Sequence, residues 1–552
     1  MISLLVLLAY EELVVRRFFP PPSGQQTSAR ASRASATPTA APSVSTPIAV
    51  TTPRLAFAPL AGSAQTGESA ERTVEIDAPI FRCRLTTIGA RLSSFQLLDY
   101  RATAAPASPP LDLIRRSQNG TYPFGLAFRQ GDKVEDDSRV AYQTQAPARI
   151  VLKRGSTAEI SFSASTPDGL KLSKVFSFSA DSYAFWLNVK VEGVAGKADA
   201  LGLELSQEMG ALEGYRNSPT VEAEVNGKTL VEAENTLASG VAPVTGAITY
   251  AGFGDRYFLS VVMPKRPSQG TLEMGLNGGQ ALALLWFPLD SQAAIQAQFL
   301  AYLGPKKLDI LEAVDPHLRD SINFGWAAMI AVPFVHALNF FHRFAPNYGV
   351  DIILLTIAIR LLLLPVSLRS QRSMMKMQRL APQIERLREK YKDDHERLNR
   401  EMMDLYRRNH VNPLGGCLPT LLQLPIFIGL YEALLNAVEL RHAPFILWIR
   451  DLSAPECLSI PHMPKLPFTD CAGIPVLVLL MGLSAFIQQK MSPQPVDPSQ
   501  QRMMMWMPLV FTLLFLNFPS GLTLYYLFTN LLGMLQQYVI NREFKQLAPV
   551  AQ

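Results

Sequence analysis

The sequence predicts an α-helical polytopic membrane domain after residue 320 and a large all-β sandwich before it. Three observations carry this reading. Apolar residues make up 48% of the 552 and charged residues 18%, a balance that points towards a membrane protein. The apolar bias is concentrated in five strongly apolar segments after residue 320. From 72 to about 303, by contrast, the apolar residues recur with a period of two. The net charge of +5 is small and dispersed, which argues against nucleic-acid binding.

Residues 1–19 open with MISLLVLLAY, and Glu11 and Glu12 follow at once. That run is short for a membrane helix and lacks the basic region and cleavage site of a secretory signal. It reads as a shortened anchor, with a wrongly assigned start as the alternative. Residues 20–66, dominated by Pro, Ala, Ser and Thr, read as a disordered tether. Residues 67–320 form the β-domain. Phe81, Cys83 and Leu85 alternate with Arg82, Arg84 and Thr86, and Leu187, Val189 and Val191 with Asn188 and Lys190. Gly, Asn-Gly and Pro turns punctuate such runs, the pattern of an antiparallel β-sandwich. Gly227-Lys228-Thr229 lacks the earlier glycine of a phosphate loop, since position 222 is Glu, so Asn226-Gly227 reads as a hairpin turn.

Residues 321–345 are long enough to cross a membrane, but His336, Asn339 and Arg343 recur on one helical face and Pro333 interrupts the run. These features favour an amphipathic helix lying in the interface. The next segment, 346–368, is a span with Arg360 at its centre. A central arginine costs about 2.5–3.5 kcal/mol on insertion scales, so it faces a partner or a wet cavity, or snorkels. Further spans fall at 413–438, 473–490, 503–518 and 519–541, giving five helices. Loop 369–412 carries twelve Lys/Arg against seven Asp/Glu, and loop 439–472 three against four. The first is therefore inside and the second outside, with loop 491–502 and tail 542–552 inside. Within 369–412, Met374, Met377, Leu380, Ile384, Leu387 and Tyr391 step by three and four, as do Leu398, Met402 and Leu405. This predicts a basic helical hairpin that lies on anionic lipid or meets a ribosome or nascent chain.

Polar residues recur at membrane depth. Thr356 shares a face with Arg360, Thr420 and Gln423 are three apart, and Tyr526, Asn530, Gly533 and Gln537 form one stripe. They predict a shared hydrophilic cavity, with interhelical hydrogen bonding as the plainer alternative. Glu432 lies nine residues after Gln423, on the opposite helix face, and is read as interfacial rather than as a partner of Arg360. Residues 503–518 rise about 24 Å against a hydrocarbon core of ~30 Å, a mismatch relieved by local thinning of the bilayer. Thirteen of the eighteen methionines lie from 374 onward, suited either to an adaptable apolar surface or to core filling. The four cysteines show no metal-ligand spacing. Cys457 and Cys471 share one loop, where a disulfide forms if the loop lies outside the cytoplasm; free thiols are the alternative.

NPLGGCLPTLLQLPIF (412–427), APFILWIRDLSAP (443–455), QQKMSP (488–493) and FPSGLTLYYLFTN (518–530) resemble the YidC/Oxa family of membrane insertases, in its Gram-negative form. TVEIDAPIFRCRLTTIGARLSSFQL (73–97) and YLGPKK (302–307) resemble that form's periplasmic domain, a mutarotase-like β-supersandwich. The resemblance implies a multi-pass bacterial inner-membrane protein with a periplasmic β-domain and a cytoplasmic hairpin and C-terminus. It implies a groove open to cytoplasm and lipid, on whose positions Arg360, Thr356, Gln423 and Tyr526 fall, with Asn530 on the same stripe as Tyr526. Leu424, Pro425 and Leu514 fall on its substrate slide. The implied partners are nascent membrane proteins, ribosome–nascent chain complexes, the Sec translocon with its accessory subunits, and membrane lipids. Neither cofactor, metal nor enzymatic activity is implied. Residues 1–20 and the loop 456–472 depart from the family pattern. Two rival readings are a solute or ion transporter with an anion site at Arg360, and an intramembrane hydrolase using Ser520 or His336.

Overall fold

Alternation of apolar and polar side chains builds the first half of the protein. The structure, a computed structural model, describes residues 58–60, 71–105, 107–117, 120–210, 218–265, 268–289, 294–392, 394–409, 418–460, 473–492 and 498–546. The expected anchor at 1–19, most of the tether, Cys417, Cys471 and the end of the tail lie outside these residues. Within the expected tether, Ala58–Pro59 pairs in parallel with Lys133–Asp136, and Leu60 is buried. The segment's average composition hides that one apolar side chain with a core to enter.

Fourteen strands form one sheet and five form a second, in the order Pro110–Asp112, Arg91–Arg101, Phe81–Thr86, Thr73–Asp77, Arg149–Val151. Lys171–Ser179 in the large sheet buries every second residue and pairs antiparallel with Ala184–Glu192, Phe176 opposite Leu187. The two sheets face each other through aromatic side chains: Phe81 stacks on Phe95 with centroids 5.0 Å apart, and Phe178 lies 6.1 Å from Phe81. Cys83 is buried in this layer as a free thiol, and burial pushes its pKa well up, so it is chemically quiet. The Asn226-Gly227 turn has positive φ at both residues, 54° and 70°, and closes a hairpin in which Val225 faces Lys228.

A cluster of charges is buried in the same core. The Asp137 carboxylate lies 2.7 Å from Lys174 Nζ and 3.1 Å from Arg91 Nη2, and Arg91 Nη2 lies 2.8 Å from Glu204. Tyr142 donates its hydroxyl to Asp137 and the Leu126 amide does likewise. Lys174 also donates to the carbonyls of Gly89 and Phe124. Two cations therefore balance two anions, and neighbouring backbone and hydroxyl groups take up much of the remaining hydrogen-bonding capacity.

Eight longer helices follow: α1 (Ala328–His342), α2 (Tyr348–Arg379), α3 (Ala381–Lys390), α4 (His395–Arg408), α5 (Leu418–Asn436), α6 (Val476–Met491), α7 (Pro498–Phe515) and α8 (Ser520–Gln546). Asn347 caps α2 by accepting from the Gly349 and Val350 amides. The helix then runs eleven residues beyond the apolar stretch ending at 368, because hydropathy marks the lipid and not the end of the hydrogen-bond ladder. For the same reason α8 extends past 541. A break around Pro519 places the α7–α8 junction at 516–519. Leu380 and Ile384 pack with Met377, Met402, Leu405 and Tyr406 to close the α3–α4 hairpin.

Among the described residues, α2 alone is both long and apolar enough to pass as a full membrane span; Leu421–Asn436 and α6 are shorter apolar helices. Sixteen residues, the length of α6, rise about 24 Å against a hydrocarbon core of ~30 Å. The apolar core of the β-domain continues into Ala331 and Val335 of α1 and into Ala433 and Val438, whereas Leu338 of α1 joins the helical core. Arg441 ties the two together. Its guanidinium donates to the carbonyls of Arg101 (2.6 Å) and Ala102 (3.1 Å) and sits 5.1 Å from the Phe258 ring centre.

One helix start is capped from a distance. Pro475 precedes α6 without a side-chain cap, but the Leu477 amide donates to Glu456 at 3.0 Å, and the Trp448 indole donates to the same carboxylate. Glu456→Ala is expected to lose about 1–2 kcal/mol of local stability and to raise hydrogen exchange at Leu477. Glu456→Gln should retain part of the protection, since its amide oxygen accepts from either Leu477 or Trp448 but not from both. Cys457, the next residue, is disulfide-bonded, and its partner lies outside the described residues.

Candidate client groove

Arg360 is carried on α2, one helical turn after Thr356, and faces α8 rather than a carboxylate. Its Nη2 donates to the Thr529 carbonyl at 2.6 Å, and its buried Nε has no hydrogen-bond partner among the described residues. Gly533 leaves room on α8 here: a Cβ there would touch Arg360 Nη2 at 3.4 Å and would displace the Gln488 amide, whose Nε2 would lie 2.4 Å away. A small residue on α8 thus lets side chains from α2 and α6 converge on its backbone. Further along α8, Gln536 donates to Ser367 Oγ (2.8 Å) and to Gln371 Oε1 (3.1 Å), so the α2–α8 contact is polar over several turns.

Gln423 on α5 donates to the hydroxyl of Tyr525 at 2.7 Å. Tyr525 was not singled out from sequence. Its neighbour Tyr526 is a ring in an aromatic cluster, edge-on to Phe427 of α5 at 5.3 Å and to Phe515 of α7 at 4.9 Å. Successive residues on a helix point about 100° apart, so only the packing reveals which tyrosine meets Gln423. Tyr525→Phe is expected to leave the Gln423 amide unpaired at a cost of about 1–2 kcal/mol. The measurement is the thermal midpoint of the detergent-solubilised chain, with Tyr526→Phe as the control expected to change it little.

Thr356 is buried, and its hydroxyl donates to the Ile352 carbonyl of its own helix at 2.6 Å. Asn530 turns away from Arg360 towards α6, donating to Ser484 Oγ (3.0 Å) and, at 3.4 Å, to the Met481 carbonyl. It bonds one helix to another. Glu432 accepts from the Asn436 side chain at 3.1 Å and belongs to the end of α5 beside the β-domain. Of the polar set, Arg360, Gln423 and Tyr526 thus sit around one face of α8, while Thr356 and Asn530 spend their polar groups elsewhere.

The expected slide residues lie on α5 and α7. Leu424 and Leu514 are exposed, and Pro425 is half-buried inside α5. Around them Leu421, Leu509, Val510 and Leu513 are exposed as well, as are Met503, Met505 and Met507. Phe427 and Phe515, with centroids 6.4 Å apart, join α5 to α7 beneath these side chains. Apolar side chains of α5 and α7 are therefore exposed on the helices that Tyr526 packs against, and Arg360 meets the same helix, α8, half-buried and without a carboxylate partner among the described residues.

The profile of a family described as "60Kd inner membrane protein" matches residues 340–547, and that of a family described as "YidC periplasmic domain" matches 73–337. A "Membrane protein insertase YidC" of Syntrophus aciditrophicus is 34% identical, over 98% of each chain. The chain belongs to the YidC family of membrane protein insertases. A second relative of that description, from Syntrophobacter fumaroxidans, is 36% identical over 85% of this chain and 86% of its own. A solved structure described as "Active YidC insertase crystal structure with the first transmembrane domain resolved" is similar with 18% identity and a TM-score of 0.37, covering 86% of this chain and 95% of that one. The rival reading, a solute or ion transporter with an anion site at Arg360, finds no support in these matches.

Proposed function

We propose that this insertase receives the polar flank of a client segment at Arg360 while the apolar segment rests against α5 and α7 before partitioning into lipid. The observation that carries the reading is the half-buried guanidinium of Arg360, which bonds a backbone carbonyl of α8 and no carboxylate among the described residues, in a bundle whose α5 and α7 expose apolar side chains. A central Leu, Ile, Phe or Val favours insertion by about 0.3–0.6 kcal/mol, so a segment of twenty gains up to roughly 10 kcal/mol. The apolar segment therefore needs no external energy; the polar flank is the obstacle. Short helices thin the bilayer and lower it. The groove opens to the cytoplasm and lipid, the β-domain is periplasmic, and the basic α3–α4 hairpin is cytoplasmic, where it meets ribosome–nascent chain complexes. The insertase works alone or with the Sec translocon and its accessory subunits. Cys471 is the disulfide partner of Cys457, consistent with an oxidising compartment outside the cytoplasm.

The test is site-specific photocrosslinking from positions 423 and 526 to ribosome-bound chains carrying one membrane segment. Adducts that form as the segment emerges, and not from a probe at the outward-facing Leu362, are the expected result. If the groove positions stay silent while clients insert normally, the groove is not the entry site.

A further inference from the structure

We infer that the loop tip Ile446-Leu447 is a preformed wedge that inserts into lipid at the N-terminal end of α2. These two side chains are 54% and 82% exposed. Leu447 has φ of 55°, the left-handed region that a branched side chain adopts only when its surroundings impose it. The surroundings do impose it. The Phe445 amide donates to the Ile449 carbonyl at 3.0 Å and the Ile449 amide to the Ile446 carbonyl at 3.1 Å. Leu452 donates to Ala443 at 3.0 Å, and the Trp448 indole is held by Glu456. The turn is thus fixed by polar bonds on both sides while its two apolar side chains point away from the protein.

The position of this tip identifies its occupant. The Asn347 side chain that caps α2 also donates to the Phe445 carbonyl at 3.1 Å, so one residue joins the loop to the start of the membrane helix. The Phe445 ring lies so close to Gly349 that a Cβ there would stand 2.0 Å from it. Ile446 and Leu447 therefore project at the level of the first turn of α2, where hydrocarbon begins. Phe340 in the last turn of α1 and Phe344 just beyond its end, 52% and 72% exposed, precede that turn. Arg343 and Arg450, both exposed, flank these apolar groups in sequence, the pairing that lets apolar residues enter the bilayer edge while cations stay with lipid phosphates. A fixed wedge beside short helices would also hold the local thinning of the bilayer in place.

The experiment places a photoreactive benzoylphenylalanine at 447, and separately at 446, in the full chain in native membranes. Val151, an exposed residue of the β-domain, is the control. Burial of the probe in acyl chains predicts at least about tenfold more phospholipid adduct from either tip position than from 151. Lipid adduct no greater than the control, in chains that still insert clients, overturns the inference. Adducts to protein in place of lipid, whether to a client or to a second copy of this chain, overturn it too. The probe at 446 serves if the left-handed turn does not accept one at 447.

Discussion

Asp137→Ala is expected to destabilise the β-domain by about 3–5 kcal/mol, enough to unfold much of it at ordinary temperature. The carboxylate is fully buried and joins Lys174 and Arg91, both buried as well. Removing it takes the carboxylate that Lys174 contacts and leaves Arg91 with Glu204 and the nearby Asp136, in a core where water cannot replace the lost partner. It also leaves the Tyr142 hydroxyl and the Leu126 amide without the oxygens to which they donate. Asp137→Asn keeps an acceptor for only one of those donors, since Leu126 donates to Oδ1 and Tyr142 to Oδ2, and it drops the charge, so its loss should be smaller than that of the alanine variant but still large. Pulse proteolysis of the full chain in urea measures both. An unchanged midpoint for the alanine variant would mean that the cluster rearranges or admits water, and that its ion pairs do not hold the sheets together.

The parts of this protein legible from sequence are those with a local physical signature. The alternation through Leu187, Val189 and Val191 marks a half-buried strand, and Asn226-Gly227 marks the turn that only left-handed residues make readily. Arg360 was legible because a charge within an apolar run has few tolerable surroundings. Contacts between distant segments were not. Nothing around Glu456 announces that it will cap a helix starting twenty residues later, and nothing around Arg441 announces carbonyl partners near residue 101. Asn530 shows the same limit within one helix. Its spacing placed it on the stripe of Tyr526, but the rotation of α8 against α6 gave its amide to Ser484.

Arg360→Ala is expected to slow insertion of clients with an acidic translocated flank by at least about tenfold, and to change clients with an uncharged flank by less than about twofold. An arginine–carboxylate contact at ~4 Å with an effective dielectric constant near 20 is worth about 4 kcal/mol before desolvation. Part of that is offset because the guanidinium already bonds the Thr529 carbonyl, and a client must compete for or share it. The guanidinium is only half-buried, so a client can reach its accessible part, whereas the enclosed Nε is not within reach. Arg360→Lys preserves the charge but not the planar fork, so it should restore part of the rate for acidic flanks. Insertion kinetics in proteoliposomes, with flank charge varied on one client, separate the explanations. An equal loss for every client would make Arg360 a structural link between α2 and α8, replaceable by any residue that holds those helices together. Dependence on flank charge that disappears in the alanine variant and partly returns with lysine would require the cation itself. A half-buried guanidinium bonded to a backbone carbonyl can hold a client weakly enough to release it, whereas an arginine already paired with a carboxylate would have little left to offer.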